Sequence, residues 1–234
     1  MGLTSFLFVH GSNHGSWCWE LLRPHLALGF TSVDLPGRGY FAKDPAEVRL
    51  EDWVDHVCRS IEQPDLEDVV LVGHSLAGII LPRVVDRLAA RLRHVVYIAC
   101  AVPAQGCSIA DFLLGGSALP PSIPAPDPEA AREWFCNDMD ERQTRFVLEN
   151  LGAEAGQPFS VPMDLAGLSH PVPRTYVRLL GDRSPVGPRQ EEVITRLAPV
   201  DVVEIDAGHD AMISAPARIG AILNRCARST APIG

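Results

Sequence analysis

The sequence predicts an α/β fold: a doubly wound, mostly parallel sheet of about six strands, with a helical insertion after the fourth strand. Three observations predict it. Short β-branched apolar runs recur along the chain, each followed by a stretch of helical period. These runs read as near-continuous apolar stretches, as expected of strands covered on both faces of a parallel sheet. A single long segment, rich in proline and glycine, interrupts the rhythm.

The predicted strands are Ser5–Val9, Thr31–Leu35, Val69–Val72, His94–Ala99, Thr175–Leu180 and Val202–Ile205. Helices are expected at about 17–28, 51–62, 76–90, 188–198 and 214–228. Right-handed crossovers then wind the chain onto both faces of one sheet. The interrupting segment, 103–173, is rich in proline and glycine (GGSALPPSIPAPDPE) and continues into helical patterns at Glu129–Cys136 and Glu141–Leu151. So long a connection in a compact domain is functional or disordered. Its Trp134, Phe135, Phe146 and Phe159 argue against disorder. It is expected to cap the carboxyl edge of the sheet, where open α/β sheets bind ligands. The 234 residues read as one domain, 1–234, with a core of 1–102 and 174–234 and a cap insertion of 103–173.

Composition narrows the function. Hydrophobic residues are 47 % and charged residues 21 %, enough apolar content for a substantial core. A net charge of -9 without a basic cluster argues against nucleic acid or an anionic membrane as partner. No run approaches the roughly 20 apolar residues of a membrane span. The segment MGLTSFLFVHG lacks a basic n-region and a cleavage site, so a cytoplasmic chain is expected. The six cysteines show no CxxC and no metal-type spacing; they are expected reduced and partly buried, with no metal bound.

The chemistry concentrates in three places. Val69–Val72 runs into Gly73-His74-Ser75-Leu76-Ala77-Gly78 and then into a helical stretch. This is the strand–turn–helix setting of a nucleophile elbow. Small residues are needed two before and two after the serine because the turn crowds strand end against helix start. Ala77 stands where glycine is usual, the smallest departure available. Ser75 is therefore the candidate nucleophile, and a hydroxyl there needs a base. In this fold the order is serine, acid, histidine. Asp182 follows the fifth strand in RLLGDRSP, and His209 follows the sixth in VEIDAGHDAM. Asp206 and Asp210 flank that histidine and compete as its orienting acid. The oxyanion donors expected are the N–H of Leu76 and the N–H of Ser12 in FVHGSNHG. His74, His10, His14 and Gly15 are read as shaping these loops by packing and local hydrogen bonds.

Together, HGSNHGSWCWELLRPHL, DLPGRG, GHSLAG, GDRSP and AGHDAMISAP resemble the small α/β-hydrolases that include plant methylesterases, hydroxynitrile lyases and bacterial esterases. The resemblance covers both ends of the chain and is thin in the cap. It implies Ser75, Asp182 and His209 as a triad, favours Asp182 over Asp206, and implies no metal or organic cofactor. The lyases carry threonine and lysine where this chain has Gly11 and Asp210. An acid after His209 opposes a leaving cyanide, which sets the lyase reading aside, and Gly11 is expected to leave room for an ester and a water.

The expected function is hydrolysis of a small to medium hydrophobic or aromatic carboxylic ester, a methyl ester foremost. The pocket is expected to include Gly11, Trp134, Phe112 and Met212. A lactonase, a cofactor-free perhydrolase and a hydrolase-fold ligand receptor with slow turnover use the same residues and stand as alternatives. A homodimer is left open, since apolar cap residues could line the pocket or meet a second subunit.

Overall fold

The computed structural model describes residues 4–39 and 43–228. The outermost ends of the expected core, 1–3 and 229–234, lie outside the described residues. In chain order the elements are β1 (Ser5–Val9), β2 (Phe30–Val33), α1 (Leu50–Glu62), β3 (Val69–His74), α2 (Leu81–Leu88), β4 (Leu92–Ile98) and α3 (Ile109–Leu114). There follow β5 (Ser122–Ile123), α4 (Pro128–Phe135), α5 (Glu141–Asn150), β6 (Glu154–Ala155), β7 (Arg174–Leu179), α6 (Gln190–Leu197), β8 (Asp201–Ile205), α7 (Ala211–Ser214) and α8 (Pro216–Arg228).

Six strands form one all-parallel sheet in the order β2-β1-β3-β4-β7-β8. Alternate residues of the inner strands feed opposite cores, as the two-residue period requires. Leu7, Val9, Val69 and Leu71 face Trp53, Val57, Val84 and Val193 on one side. Phe6, Phe8, Val70 and Val72 face Trp19, Ile219 and Leu223 on the other. The winding reverses between β1 and β3: the chain leaves β1 for β2 at the edge and returns to β3 on the far side. Loops at such a reversal diverge and open a crevice beyond the strand ends. That crevice receives Gly11–Gly15 from β1 and Ser75 from β3.

Prolines redraw several expected helices. The helix expected at 76–90 is instead a 3-10 turn at Ser75–Ile79, then α2, then a 3-10 turn at Ala89–Arg91. Pro82 has no N–H to donate and fits only the first turn of an α-helix, so α2 starts late. The stretch expected at 17–28 is a 3-10 helix, Ser16–His25, closing after Pro24. The one expected at 214–228 divides into α7 and α8 because Pro216 disfavours helical backbone at Ala215. Between β4 and β7 the two expected helices appear as α4 and α5, and α3 is additional. Ser108 caps α3, accepting from Asp111 N–H at 3.1 Å while Asp111 accepts from Ser108 N–H at 2.9 Å. Antiparallel β5 and β6 bracket α4 and α5 and pair with each other.

The crowding around the elbow is explicit. A Cβ on Gly73 would stand 2.7 Å from Leu81 Cδ1 and 2.9 Å from Ala77 Cβ. One on Gly78 would overlap the Ala101 carbonyl, a backbone group with little freedom to yield. Gly78→Ala is therefore expected to lower unfolding free energy by about 1–3 kcal/mol in urea titration. Gly29→Ala, with nothing within 4 Å of the added methyl, should change it by less than about 0.5 kcal/mol.

Candidate active site

Ser75 follows β3 with φ of 51°, in the left-handed region that costs a side-chain-bearing residue about 1–2 kcal/mol. Its carbonyl accepts from Ala101 N–H at 2.9 Å, pinning the turn to the end of β4. Ser75 itself is partly exposed, whereas Gly73, His74 and Leu76–Ile80 are buried. Leu76 lies in the first turn of the 3-10 helix that starts at Ser75, where leading N–H groups have no helical acceptor. Gly11 brings the β1 loop against this turn: a Cβ there would be 2.8 Å from Ser75 Cβ and 2.9 Å from His74 Nδ1. The room expected beside Gly11 is thus already occupied by the serine. Glycine is required for close approach.

His209 follows β8 and Asp182 follows β7, so both lie at the same carboxyl edge as Ser75. His209 Nδ1 donates to Asp182 Oδ2 at 2.9 Å, with the two side chains 1 % and 0 % exposed. Asp182 Oδ1 accepts from Ser184 N–H at 2.8 Å, which fixes the carboxylate in its turn. Ser184 Oγ also lies 3.1 Å from His209 Nδ1. Burial presses the His209 imidazole toward its neutral form. The charge and hydrogen bond of Asp182, with the charge of Asp210, outweigh it and raise the pKa above 6.5.

The competing acids stand elsewhere. Asp206 is exposed, and its carbonyl accepts from Arg218. Asp210 Oδ2 takes His14 Nε2 at 2.8 Å. His74 spans the crevice floor: its Nε2 donates to the His209 carbonyl at 3.0 Å, and the two rings tilt together at 4.6 Å. Burial lowers its pKa well below 6.5, so it is neutral and serves as a strut. His10 also acts structurally, accepting from Leu35 N–H at 3.1 Å, with burial lowering it to about 3.

Beneath Ser12, Glu154 is buried and accepts from Asn13 N–H at 2.9 Å. Asn13 and Gly152 exchange backbone and side-chain bonds at 2.9 and 3.0 Å. The segment from β4 to β7 therefore supports the β1 loop from below. Its residues after α4 also reach the other loops: Asn137 Nδ2 donates to Gly181 O at 3.0 Å, and Asp138 Oδ2 accepts from Gly208 N–H at 2.6 Å.

The expected pocket residues do not form one surface. Met212 is fully enclosed in the core on the α8 side and offers nothing to a ligand. Phe112 belongs to the opposite core, with the Arg189 and Arg196 guanidinium groups 4.5 and 5.5 Å from its ring centre. Trp134 lines an outer groove of about 770 Å³ with Asp127, Arg132, Glu133, Asn137 and Arg183. Phe135 is the residue that approaches the crevice, 5.8 Å from the His209 ring and 5.0 Å from His14. Periodicity places Trp134 and Phe135 on one helix but does not say which of them turns inward.

His74, His209 and Asp210 could each offer one ligand atom to a metal ion, all within 4.8 Å. His74 Nε2 and His209 Nδ1 are committed to the His209 carbonyl and to Asp182. All six cysteines are free; Cys107 is exposed and the other five are buried.

A model of the alpha/beta hydrolase family matches residues 6–222. The chain belongs to that family. Among relatives, a carbendazim hydrolyzing esterase of Nocardioides sp. (strain SG-4G) is 36 % identical over 129 residues, 53 % of this chain. That match spans about half of the relative, 52 %. Methylesterase 18 of Arabidopsis thaliana is 28 % identical over 259 aligned residues, covering 97 % of this chain and 98 % of the plant protein. Solved α/β-hydrolase structures share the fold. The methylesterase MES16 from Arabidopsis superposes with a TM-score of 0.81 at 24 % identity, over 95 % of this chain and 98 % of that one. An extracellular α/β-hydrolase from a Paenibacillus species gives 0.83 at 22 % identity, over 97 % and 100 %.

Asp182→Asn is expected to cut kcat by about 10⁴-fold, because it favours the wrong imidazole tautomer and cannot balance an imidazolium. Asp206→Asn should leave it within about twofold. In the parent, kcat/KM should fall as pH drops through a midpoint above 6.5, since protonated His209 cannot take a proton. Asp182→Asn should move that midpoint down.

Proposed function

We propose that this α/β-hydrolase is a serine esterase acting on small to medium hydrophobic or aromatic carboxylic esters, methyl esters foremost. The observation that carries the reading is the enclosed Asp182–His209 hydrogen bond at the sheet edge where Ser75 occupies a left-handed turn. His209 takes the Ser75 proton as Oγ attacks the ester carbonyl. The N–H groups of Leu76 and Ser12 receive the developing oxyanion. Collapse breaks the acyl–oxygen bond, and His209 passes its proton to the departing alcohol. Water, deprotonated by His209, then attacks the acyl-enzyme; the acid leaves and Ser75 regains its proton. Asp182 holds the tautomer and balances the imidazolium throughout.

Methyl esters are favoured because full-length relatives carry the name methylesterase. The buried negative charge of Asp210 beside His209 disfavours an anionic leaving group and is compatible with a neutral alcohol. In this reading segment 103–173 is the cap, its Phe135 walling the crevice beside His209. Among the described residues no helix is long and apolar enough to cross a membrane. The free cysteines fit a cytoplasmic setting.

A panel of methyl, acetyl and aryl esters with lactones tests the reading, with Ser75→Ala as control. Methyl and aryl esters are expected to turn over, and Ser75→Ala to lose about 10⁶-fold in kcat. Parent turnover of lactones alone, or a Ser75→Ala variant as fast as the parent, would refute it.

A further inference from the structure

The triad leaves one enclosed pair unused. His14, in the loop after β1, and Asp210, directly after His209, have side chains 1 % and 0 % exposed. His14 Nδ1 faces the Ser12 carbonyl at 2.7 Å, and His14 Nε2 faces Asp210 Oδ2 at 2.8 Å. Burial pushes the Asp210 carboxyl up, but the imidazoles of His14, His74 and His209 outweigh it and hold the group ionised. Both neighbours of the His14 ring are then acceptors. Both ring nitrogens therefore face acceptors, and one proton is shared between the ring and the carboxylate. Trp17 stacks on this ring at 5.1 Å and Phe135 meets it edge-on, which fixes its plane.

We propose that His14 and Asp210 are positioning residues for the esterase reaction, locking the Ser12 loop to the His209 loop through one shared proton. The proposal rests on the assignment of Ser75 and His209 made above. On one side His14 holds the carbonyl of Ser12, whose own N–H is the oxyanion donor. On the other, the Asp210 backbone carbonyl accepts from Ile213 and Ser214 N–H at 2.8 and 3.1 Å, tying the backbone of Asp210, next to His209, to the start of α7. Arg38 Nε donates to the His14 carbonyl at 2.8 Å, so the His14 backbone is also held. Oxyanion donor and base act on one tetrahedral centre, where a misplacement of about 1 Å costs about 10²-fold in rate.

Asp210 acts on His209 through its charge as well as through position. The other ionisable groups facing Asp210 are His14 from the β1 loop, Cys18 from the first 3-10 helix, His74 from β3 and Cys136 after α4. Burial keeps both thiols protonated. Asp182, His74 and Asp210 face His209. Neutralising Asp210 without changing its shape should therefore make His209 a weaker base.

The test is a cycle of His14→Gln, Asp210→Asn and the double variant, assayed on the ester the parent hydrolyses fastest. Gln can reach Asp210 but cannot also hold the Ser12 carbonyl. His14→Gln is expected to lose about 10²-fold in kcat, with KM within about threefold of the parent. Asp210→Asn is expected to move the acid limb of the kcat/KM profile to lower pH. The double variant should be no worse than the poorer single, because each single already breaks the shared contact. Parental kcat in His14→Gln, an unmoved limb in Asp210→Asn, or losses that add would each overturn the proposal. If His14→Gln fails to fold, the Asp210→Asn limb decides: a lower midpoint supports the pair and an unchanged one removes it. A parent that turns over no ester refutes the esterase reading instead; a parent that works through Ser75 beside unaffected variants refutes only this inference.

Discussion

The structure depends on one constraint: the left-handed turn at Ser75 must be held against its own strain. A non-glycine residue in that conformation persists only where its surroundings leave no alternative. Here Gly73, Ala77 and Leu81 interlock on one side of the turn, and Gly78 lies against the Ala101 carbonyl on the other. Gly11 closes from the β1 loop, near enough that any side chain there would displace the serine. The reversal of winding between β1 and β3 brings these loops together in the first place. Strand order, small residues and serine geometry are thus one device.

The histidine and acid are held by a different means. Three loops, after β1, β7 and β8, carry polar groups that would be costly to bury unpaired. They find partners in one another and in β3 and β6: Asp182 with His209, His74 with the His209 carbonyl, Asp210 with His14, Glu154 with Asn13. The segment between β4 and β7 contributes to the same mesh through Asn137, Asp138 and Glu154. The insertion therefore carries acceptors that the β1 and β8 loops need.

The inner strands β1, β3 and β4 were legible in the sequence because burial on both faces writes a near-continuous apolar run, which local reading detects. The bounds of the half-open edge strands β2 and β8 shifted by a residue or two. The elbow was legible for a related reason: strand, turn and helix are contiguous, and crowding leaves a pattern of small residues. Helix bounds were legible where no proline intervened, as in α1 and α5, whereas Pro82 and Pro216 moved two others. The pocket was not legible. Met212 and Phe112 are apolar at plausible positions, yet they fill opposite cores, and no short-range period distinguishes a core-facing ring from a crevice-facing one. Ser184 and Glu154 escaped notice because single polar residues acquire meaning only from contacts across the fold. The pairing of His14 with Asp210 spans 196 positions and has no local signal at all.

The central claim is that strain and enclosure make Ser75 an activated nucleophile. Labelling with a fluorophosphonate, read by intact mass and peptide mapping, tests this without any choice of ester. One adduct per chain is expected, on Ser75, formed slowly or not at all once His209 is replaced by alanine. An adduct on another residue, or equal labelling of a Ser75→Ala variant, would contradict it.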